Sequence, residues 1–219
     1  MKYIYNDKVG FVELINYMGS DLSVVNAARV SFNNDNPEQA SLSDKDQNLI
    51  SYLASHQHSS PFEHITATFR IKVPLFIRSQ IMRHRTFSYN EQSRRYTSEH
   101  VEIWFPDEWR GQSNLDLQCS SGVITDSTID EIYQNALAVS FRVYLSMLER
   151  GIAREQARAV LPQGCYTTFY MTGNLHNWVH FLKLRLDGHA QPEVRVVAKA
   201  IRDKLSELFP VSINALLYK

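Results

Sequence analysis

The clearest pattern along the chain is the alternation of apolar and polar residues between Glu63 and Val73. Apolar side chains stand at every second position from Ile65 onward, which is typical of a strand with one buried face. The β-branched and aromatic residues from Tyr166 to Thr172 predict a second strand. These two segments are the strands predicted for a small sheet.

Apolar residues spaced three and four positions apart predict helices in the rest of the chain. The predicted helices are 24–30 with Ser23 as N-cap, 43–55, a helix opened by Pro74 and extended to Arg85, 128–150 ended by Gly151, 174–187 and 192–208. The polar segments 33–40 and 111–121 are predicted loops, the second of them flexible. Few strands among several helices favour an α+β class, a small antiparallel sheet flanked by helices, and 219 residues suit a single domain over 1–219.

Composition narrows the class of protein. The chain is 44% hydrophobic and 21% charged with zero net charge, which argues against general affinity for nucleic acids or membranes. No apolar run approaches the ~20 residues that span a bilayer, and residues 1–8 lack the apolar core of a signal peptide, so the cytoplasm is the expected location. Cys119 and Cys165 form no CxxC pair, which disfavours a disulfide framework or a zinc–cysteine site.

Basic residues are concentrated between Arg70 and Arg95, where Glu91 is the only acid. Such a local excess in a neutral protein predicts a phosphate-binding pocket, because the guanidinium group stays charged and donates two parallel hydrogen bonds. From residue 83 onward the basic residues are interleaved with Ser, Asn and Glu. Taken alone, this segment fits a solvated charged turn as well as a loop that folds around a ligand.

The spacing of its residues distinguishes between these readings. Residues 83–95 read Arg-His-Arg-Thr-Phe-Ser-Tyr-Asn-Glu-Gln-Ser-Arg-Arg. This segment resembles the signature of the flavin-dependent thymidylate synthases, and every fixed position of that signature is present. The resemblance extends to residues 58–64, 158–162 and 184–191, and it covers nearly the whole chain from Ala27 to the last helix.

The resemblance implies the fold of that family and the reductive methylation of dUMP to dTMP. It implies FAD as cofactor, NADPH as its reductant, 5,10-methylenetetrahydrofolate as one-carbon donor, and a homotetramer with active sites shared between subunits. No nucleic acid, membrane or metal is expected. The implied dUMP contacts are Gln80, Ile81, Met82, Arg83, Glu91, Gln92, Ser93, Arg94, Arg95, Arg158 and Arg185. The implied FAD contacts are His58, Ser60, Arg83, His84, Arg85, Glu91, Asn174, His176 and His180.

Arg185 is the implied catalytic residue. A guanidinium beside the pyrimidine stabilises the negative charge that forms when N3 loses its proton. On its predicted helix Arg185 shares a face with Trp178 and Phe181, so we expect it to be partly desolvated and its charge to act more strongly. The alternative is a surface arginine whose aliphatic stem covers apolar neighbours. His176 and His180 lie on a stripe roughly opposite Arg185, which suggests two pockets built by different subunits.

Two alternative functions remain open from the residues alone. His56, His58, Glu63 and His64 are metal-ligand types, so a metal-dependent hydrolase is one alternative, although their spacing matches no recognised ligand motif. A nucleotide- or RNA-binding module that stacks bases on the tyrosines of the basic segment is the other. Zero net charge and the lack of a known RNA-binding motif speak against the second.

Nucleophilic catalysis is not indicated. Neither Cys119 nor Cys165 has a base beside it in the sequence to form the thiolate. Ser93 has no evident His or Lys as its base and is assigned to ligand binding. We therefore expect an enzyme without a cysteine nucleophile.

Overall fold

A computed structural model of the protein describes residues 1–96, 101–114 and 119–218. The strands are β1 Lys2–Tyr3, β2 Phe11–Met18, β3 Thr66–Pro74, β4 Ser88–Glu91, β5 Trp109–Gln112, β6 Ser120–Ile124 and β7 Tyr166–Asn174. The α-helices are α1 Asp21–Arg29, α2 Asp44–Ser55, α3 Leu75–Ile81, α4 Thr128–Glu149, α5 Arg154–Ala157, α6 Leu175–Arg185, α7 Pro192–Leu208 and α8 Pro210–Leu217. Short 3₁₀ helices are Val30–Phe32, Ser60–His64 and Arg158–Val160.

The main sheet is antiparallel and has the strand order β1-β2-β3-β7-β4. The alternation predicted for β3 is confirmed, since Phe69, Ile71 and Val73 are fully buried while Arg70 and Lys72 on the other face are half-buried. The α+β prediction is confirmed as well. β3 starts at Thr66 instead of 63 because the preceding residues form a 3₁₀ helix that begins at Ser60.

The buried face of the sheet packs against α6 through aromatic side chains. The Trp178 ring lies edge-on to Phe69, with ring centroids 5.1 Å apart, and edge-on to Phe87 at 4.6 Å. Its indole N–H donates to the carbonyl oxygen of Ala67 at 3.2 Å. A side chain at Gly173 would overlap the Phe87 ring, so only glycine lets that ring approach β7. Truncating Trp178 to alanine is expected to cost about 3–5 kcal/mol of stability.

Several helix boundaries differ from the sequence prediction. Ser23 is the third residue of α1 and not its N-cap; its Oγ accepts from the backbone N–H of Ser20, 3.0 Å away, and so completes a capping box with Ser20 at the N-cap. Ser43, predicted as the first residue of the next helix, is the N-cap of α2 and accepts a hydrogen bond from the N–H of Asp46. The helix α8 was not predicted, because its apolar residues directly continue the pattern of α7.

The prediction that α3 continues to Arg85 is wrong. α3 ends at Ile81, and the Tyr89 hydroxyl donates to the carbonyl oxygens of Ile81 at 3.1 Å and His84 at 2.9 Å. These bonds satisfy carbonyls that a longer helix would use internally, so Gln80, Arg83 and His84 do not share a helical face. Residues 88–91, expected to be a loop, form the edge strand β4 on β7.

The polar segment 111–121 is flanked by a hairpin, β5 and β6, which the sequence pattern did not predict. Its residues 115–118 lie outside the described residues, so the flexibility predicted there stays a prediction. Among the helices that the structure describes, none is long and apolar enough to cross a bilayer.

Candidate functional site

Five of the implied dUMP contacts line one cavity of about 590 Å³, which we call the strand-end cavity: Glu91, Gln92, Ser93, Arg94 and Arg158. It lies where the last residue of β4, the first residues of β7, α3 and the turn after α5 meet. Its charged and hydroxyl-bearing walls include Arg78, Glu91, Ser93, Arg94, Arg158 and Thr167.

Glu91 is held in place at the wall of this cavity. Its Oε1 accepts a hydrogen bond from the Thr167 hydroxyl at 2.8 Å and lies 3.1 Å from Nε of Arg78. The following residue, Gln92, donates its backbone N–H to Thr168 at 2.8 Å, which extends the pairing with β7 by one residue. The sheet therefore fixes where this carboxylate stands.

The chain turns immediately after Gln92 and presents its arginines. The Ser93 hydroxyl accepts from the backbone N–H of Arg95 at 3.2 Å, and the Ser93 carbonyl accepts from the N–H of Tyr96 at 3.2 Å. Arg95 is exposed and forms an ion pair with Glu155 at 3.3 Å. The Ser93 side chain therefore shapes the turn, and its assignment to ligand binding stays a prediction.

Cys165 lies in the wall of the same cavity but is 2% exposed. Burial raises the pKa of its thiol to about 11, although the nearby charge of Arg94 acts in the opposite direction. The thiol is therefore protonated at neutral pH, and a protonated thiol is a poor nucleophile. Cys119 lies at the hairpin instead, where its sulfur is 3.9 Å from the carbonyl oxygen of His189.

Arg185 lines a second cavity, of about 610 Å³, which we call the helix-end cavity because it lies at the end of α6. Its other polar walls include Gln80, Lys183, Asp187, His189 and Gln191. Nε of Arg185 donates to Nε2 of His84 at 3.0 Å, and Nη2 donates to the carbonyl oxygen of Gln80 at 3.1 Å. Burial lowers the pKa of Arg185, so the predicted partial desolvation is confirmed.

His84 is the buried partner that orients Arg185. Its ring is 7% exposed and packs edge-on against Phe181, with centroids 4.9 Å apart. Burial, followed by the charges of Arg185 and His180, lowers the pKa of His84 to about 4. The ring is neutral at pH 7, and because Nε2 accepts from Arg185, its proton stands on Nδ1. Arg185 thus points its charge into the cavity without neutralisation by this neighbour.

His84 lies beside both His180 and Arg185: its ring centroid is 5.9 Å from that of His180, and its Nε2 accepts from Arg185. His180 itself does not line the helix-end cavity, and that the two residues serve different pockets stays a prediction. His176, one turn earlier on α6, is exposed.

Two hydrogen bonds connect α6 to segments that carry implied flavin residues. Asn174 caps the helix by accepting from the N–H of Asn177 at 2.9 Å. The Asn177 amide in turn donates to the carbonyl oxygen of Thr86 at 3.0 Å, which fixes the turn that carries Arg83 and Arg85. The 3₁₀ helix that begins at Ser60 packs against α6 as well. The structure thus brings the turn and the 3₁₀ helix together at α6, and the side chains of His58, Ser60, Arg83, Arg85, His176 and His180 are exposed.

Four implied dUMP contacts line neither cavity, among them the exposed Arg83 and Arg95. Ile81 is fully buried in the core, and Met82 packs against that core, so the side chains of both line neither cavity. Sequence reasoning also missed Arg78 and Thr167, which hold Glu91. Arg78 was part of the basic run, but no motif position distinguished it from its neighbours.

The histidine cluster of the hydrolase alternative is an aromatic stack. The His56 ring lies 4.0 Å from the ring of Tyr52, and His56 and His58 are 6.2 Å apart. Among the described residues, no three His, Cys, Asp or Glu side chains are placed to hold one metal ion. This cluster therefore does not support a metal-dependent hydrolase.

Comparison with known proteins agrees with this arrangement. A family model described as "Thymidylate synthase complementing protein" matches residues 13–211. The chain belongs to this thymidylate synthase complementing protein family. The resemblance inferred from residues 83–95 is thereby confirmed.

Relatives within the thymidylate synthase complementing protein family match along almost the whole chain. The flavin-dependent thymidylate synthase of Thermotoga neapolitana is 42% identical over 218 residues, covering 99% of this chain and 94% of that protein. The enzyme of the same name from Thermus thermophilus is 41% identical over 203 residues, covering 93% of this chain and 74% of that protein. The crystal structure of the UMP/dUMP methylase PolB from Streptomyces cacaoi, bound with 5-Br dUMP, superposes with a TM-score of 0.85 at 35% identity and covers 94% of both chains.

Proposed function

We propose that this protein is a flavin-dependent thymidylate synthase, a single catalytic domain that methylates dUMP to dTMP in the cytoplasm. The observation that carries the proposal is Arg185, a partly buried guanidinium that a neutral His84 directs into a cavity, in a chain of this family. Its relatives are named for the same reaction, and PolB is a methylase of UMP and dUMP that binds a brominated dUMP.

The proposed nucleotide site combines both cavities. The dUMP phosphate would be bound by arginines of the strand-end cavity, Arg94 and Arg158, next to Glu91. The uracil would meet Arg185, whose positive charge stabilises the anion formed when N3 loses its proton. This anion makes C5 electron-rich, so that C5 attacks the one-carbon unit.

Within one chain these residues face different cavities. Arg78 of α3 lines the strand-end cavity, whereas Gln80, two residues later, lines the helix-end cavity with Arg185. Residues two positions apart point to nearly opposite sides of a helix. This division supports a homotetramer in which the strand-end cavity of one subunit is completed by Gln80 and Arg185 of another.

The exposed donors at α6 fit the cofactor. FAD carries a negatively charged pyrophosphate, and Arg83, Arg85 and His176 present charged or hydrogen-bonding groups on the surface. His58, Ser60 and Asn174 would contribute further polar contacts. When bound, the FAD that NADPH has reduced would supply the hydride, and 5,10-methylenetetrahydrofolate would supply the carbon. The chain's own residues bind and orient these molecules and hold the charge of Arg185.

The reaction is tested by the release of tritium from dUMP labelled at C5. We expect the purified protein to be yellow. The labelled dUMP is expected to release tritium only when NADPH and methylenetetrahydrofolate are present. Release that continues unchanged after the flavin has been removed, or no release from protein loaded with FAD, would contradict the proposal.

Sharing of sites is tested by subunit complementation. Arg185→Ala and Arg158→Ala variants, each nearly inactive, are co-expressed and purified as mixed oligomers through two different tags. If the two residues of one site come from different subunits, random mixing restores about a quarter of the sites. Activity that stays at the level of the separate variants would show that each site is built by one subunit, and a fully active monomer in sedimentation would exclude sharing altogether.

A further inference from the structure

The strand-end cavity contains a charged contact that the family resemblance does not assign. Arg78, in α3, places Nε 3.1 Å from Oε1 of Glu91. Thr167, the second residue of β7, donates its hydroxyl to the same oxygen at 2.8 Å. Both side chains line the cavity beside Glu91. One carboxylate oxygen is thus held from two directions.

The other carboxylate oxygen of Glu91, Oε2, takes no part in these two contacts. Within the described residues, both side-chain contacts of Glu91 are made to Oε1. Oε2 therefore remains available to a molecule that enters the cavity. The Glu91 side chain is 25% exposed, so it is restrained by its neighbours without being sealed from the solvent.

The contact with Arg78 is an ion pair and not an aligned hydrogen bond. Nε of Arg78 is buried and has no hydrogen-bond partner of normal geometry among the described atoms, despite its short distance to Glu91. A buried donor of this kind is seldom left unsatisfied in proteins. Small rotations of the carboxylate on ligand binding would bring the two groups into line and satisfy it.

The charges of the cavity explain why Glu91 needs this partner. An ionised carboxylate only accepts hydrogen bonds, so Glu91 suits the hydroxyl or N–H donors of a nucleotide and repels its phosphate. Arg94 and Arg158, in the same cavity, attract both the phosphate and the carboxylate. Arg78 neutralises Glu91 from the side away from Oε2 and so keeps it from competing with the phosphate for these arginines.

We propose that Arg78 is a positioning residue for nucleotide binding, which acts through Glu91 with the help of Thr167. The inference rests on the proposed function, because it takes dUMP as the molecule in the strand-end cavity. Arg78 does not act on the reacting atoms. Its removal therefore changes the affinity for dUMP more than the rate of the bound complex.

The test compares Arg78→Met with the wild-type protein, both loaded with FAD, by calorimetric titration with dUMP and by steady-state kinetics. We expect the Kd and KM for dUMP to rise about 10–100-fold, the effect of leaving one member of a partly buried charge pair alone. We expect kcat to change by no more than about threefold, because Arg78 would stabilise the bound substrate and the transition state equally. Arg78→Lys, which keeps the charge, is expected to recover most of the affinity.

Arg202→Met is the matched control. Arg202 is 32% exposed against 30% for Arg78, and it also forms an ion pair, with Asp203 at 2.6 Å on α7. It lines neither cavity, so its replacement is expected to leave the Kd for dUMP within twofold of the wild type. A comparable loss of affinity in both variants would show that Arg78→Met acts only by changing the net charge of the protein, and it would overturn the proposal.

The double variant Arg78→Met/Glu91→Gln separates positioning from direct contact. If Arg78 acts through Glu91, the double variant binds dUMP no more weakly than Glu91→Gln alone; additive losses would overturn the proposal. Should Arg78→Met fail to fold, Arg78→Gln and Thr167→Val take its place, and unchanged affinity in both would refute the proposal. Wild-type protein that binds no dUMP would overturn the proposed function itself, whereas wild-type binding with an unaffected Arg78→Met overturns this inference alone.

Discussion

The two cavities use arginine in opposite ways. In the strand-end cavity Arg78 lies against the carboxylate of Glu91, and Glu155 of the cavity wall pairs with the exposed Arg95. At the helix-end cavity, both recorded partners of Arg185 are neutral, a histidine nitrogen and a carbonyl oxygen. A cation beside an acid has its field largely cancelled, which suits binding and positioning. A partly buried cation with neutral partners keeps its full charge for an anion that forms during a reaction.

The largest effect is expected when the unneutralised charge is removed. Arg185→Ala should lower kcat/KM by roughly 10²–10³-fold, the range for loss of one group that stabilises developing negative charge. Ser93→Ala, in the strand-end cavity, should retain measurable activity because Ser93 shapes a turn. Tritium release from C5 of dUMP measures both. If Ser93→Ala were the more damaging change, Ser93 would be a nucleophile and the contrast between the cavities would not hold.

Removing the partner that orients Arg185 is expected to have the next largest effect. His84→Leu deletes the acceptor of the Arg185 Nε–H, and a hydrogen bond to a charged group contributes about 1.5–3 kcal/mol, so kcat should fall at least about tenfold. His84→Asn keeps an acceptor and should recover part of the rate. The control is His189→Gln, since the His189 side chain is 75% exposed and lines the same cavity. Equal losses from His84→Leu and His84→Asn would exclude an orienting hydrogen bond.

The neutral state of His84 predicts how stability depends on pH. Its pKa is about 4 in the folded protein and about 6.5 when unfolded, so the unfolded state binds a proton that the folded state does not take up between these values. The neutral His84 therefore stabilises the folded state fully above about pH 6.5, and this stabilisation is lost as the pH falls towards 4. Between pH 7 and pH 5 the Tm of the wild type should therefore fall more than that of His84→Leu, by roughly 4–7 °C. Parallel Tm profiles would mean that the pKa of His84 is the same in the folded and the unfolded protein.

The smallest effect is expected for the thiol in the strand-end cavity. Because burial raises the pKa of Cys165 to about 11, Cys165→Ala should keep kcat within about threefold of the wild type. Its thermal stability should fall slightly, since a buried side chain is shortened. A variant that folds but loses nearly all tritium release would make Cys165 a catalytic group.

Much of the fold follows from local patterns. The period-two alternation of β3 and the helical stripe of α7 were read correctly, because each element buries one face against the core. The apolar stripe of α4 also predicted a helix, but of that helix only Leu137 and Tyr144 are buried. β4 was missed because its hydrogen-bonding partner, β7, lies almost eighty residues further along the chain. A short, polar edge strand has no period of its own to reveal it.

By itself, the sequence determined the family, the candidate residues and the class of chemistry, because the spacing within residues 83–95 is specific and local. Only the tertiary structure decided which of these residues meet. Arg185 reaches His84 across about a hundred positions, and Glu91 is held by Arg78 and Thr167 from two other elements. The charge, burial and pKa of a side chain depend on the neighbours that folding brings to it, and linear spacing does not record those neighbours.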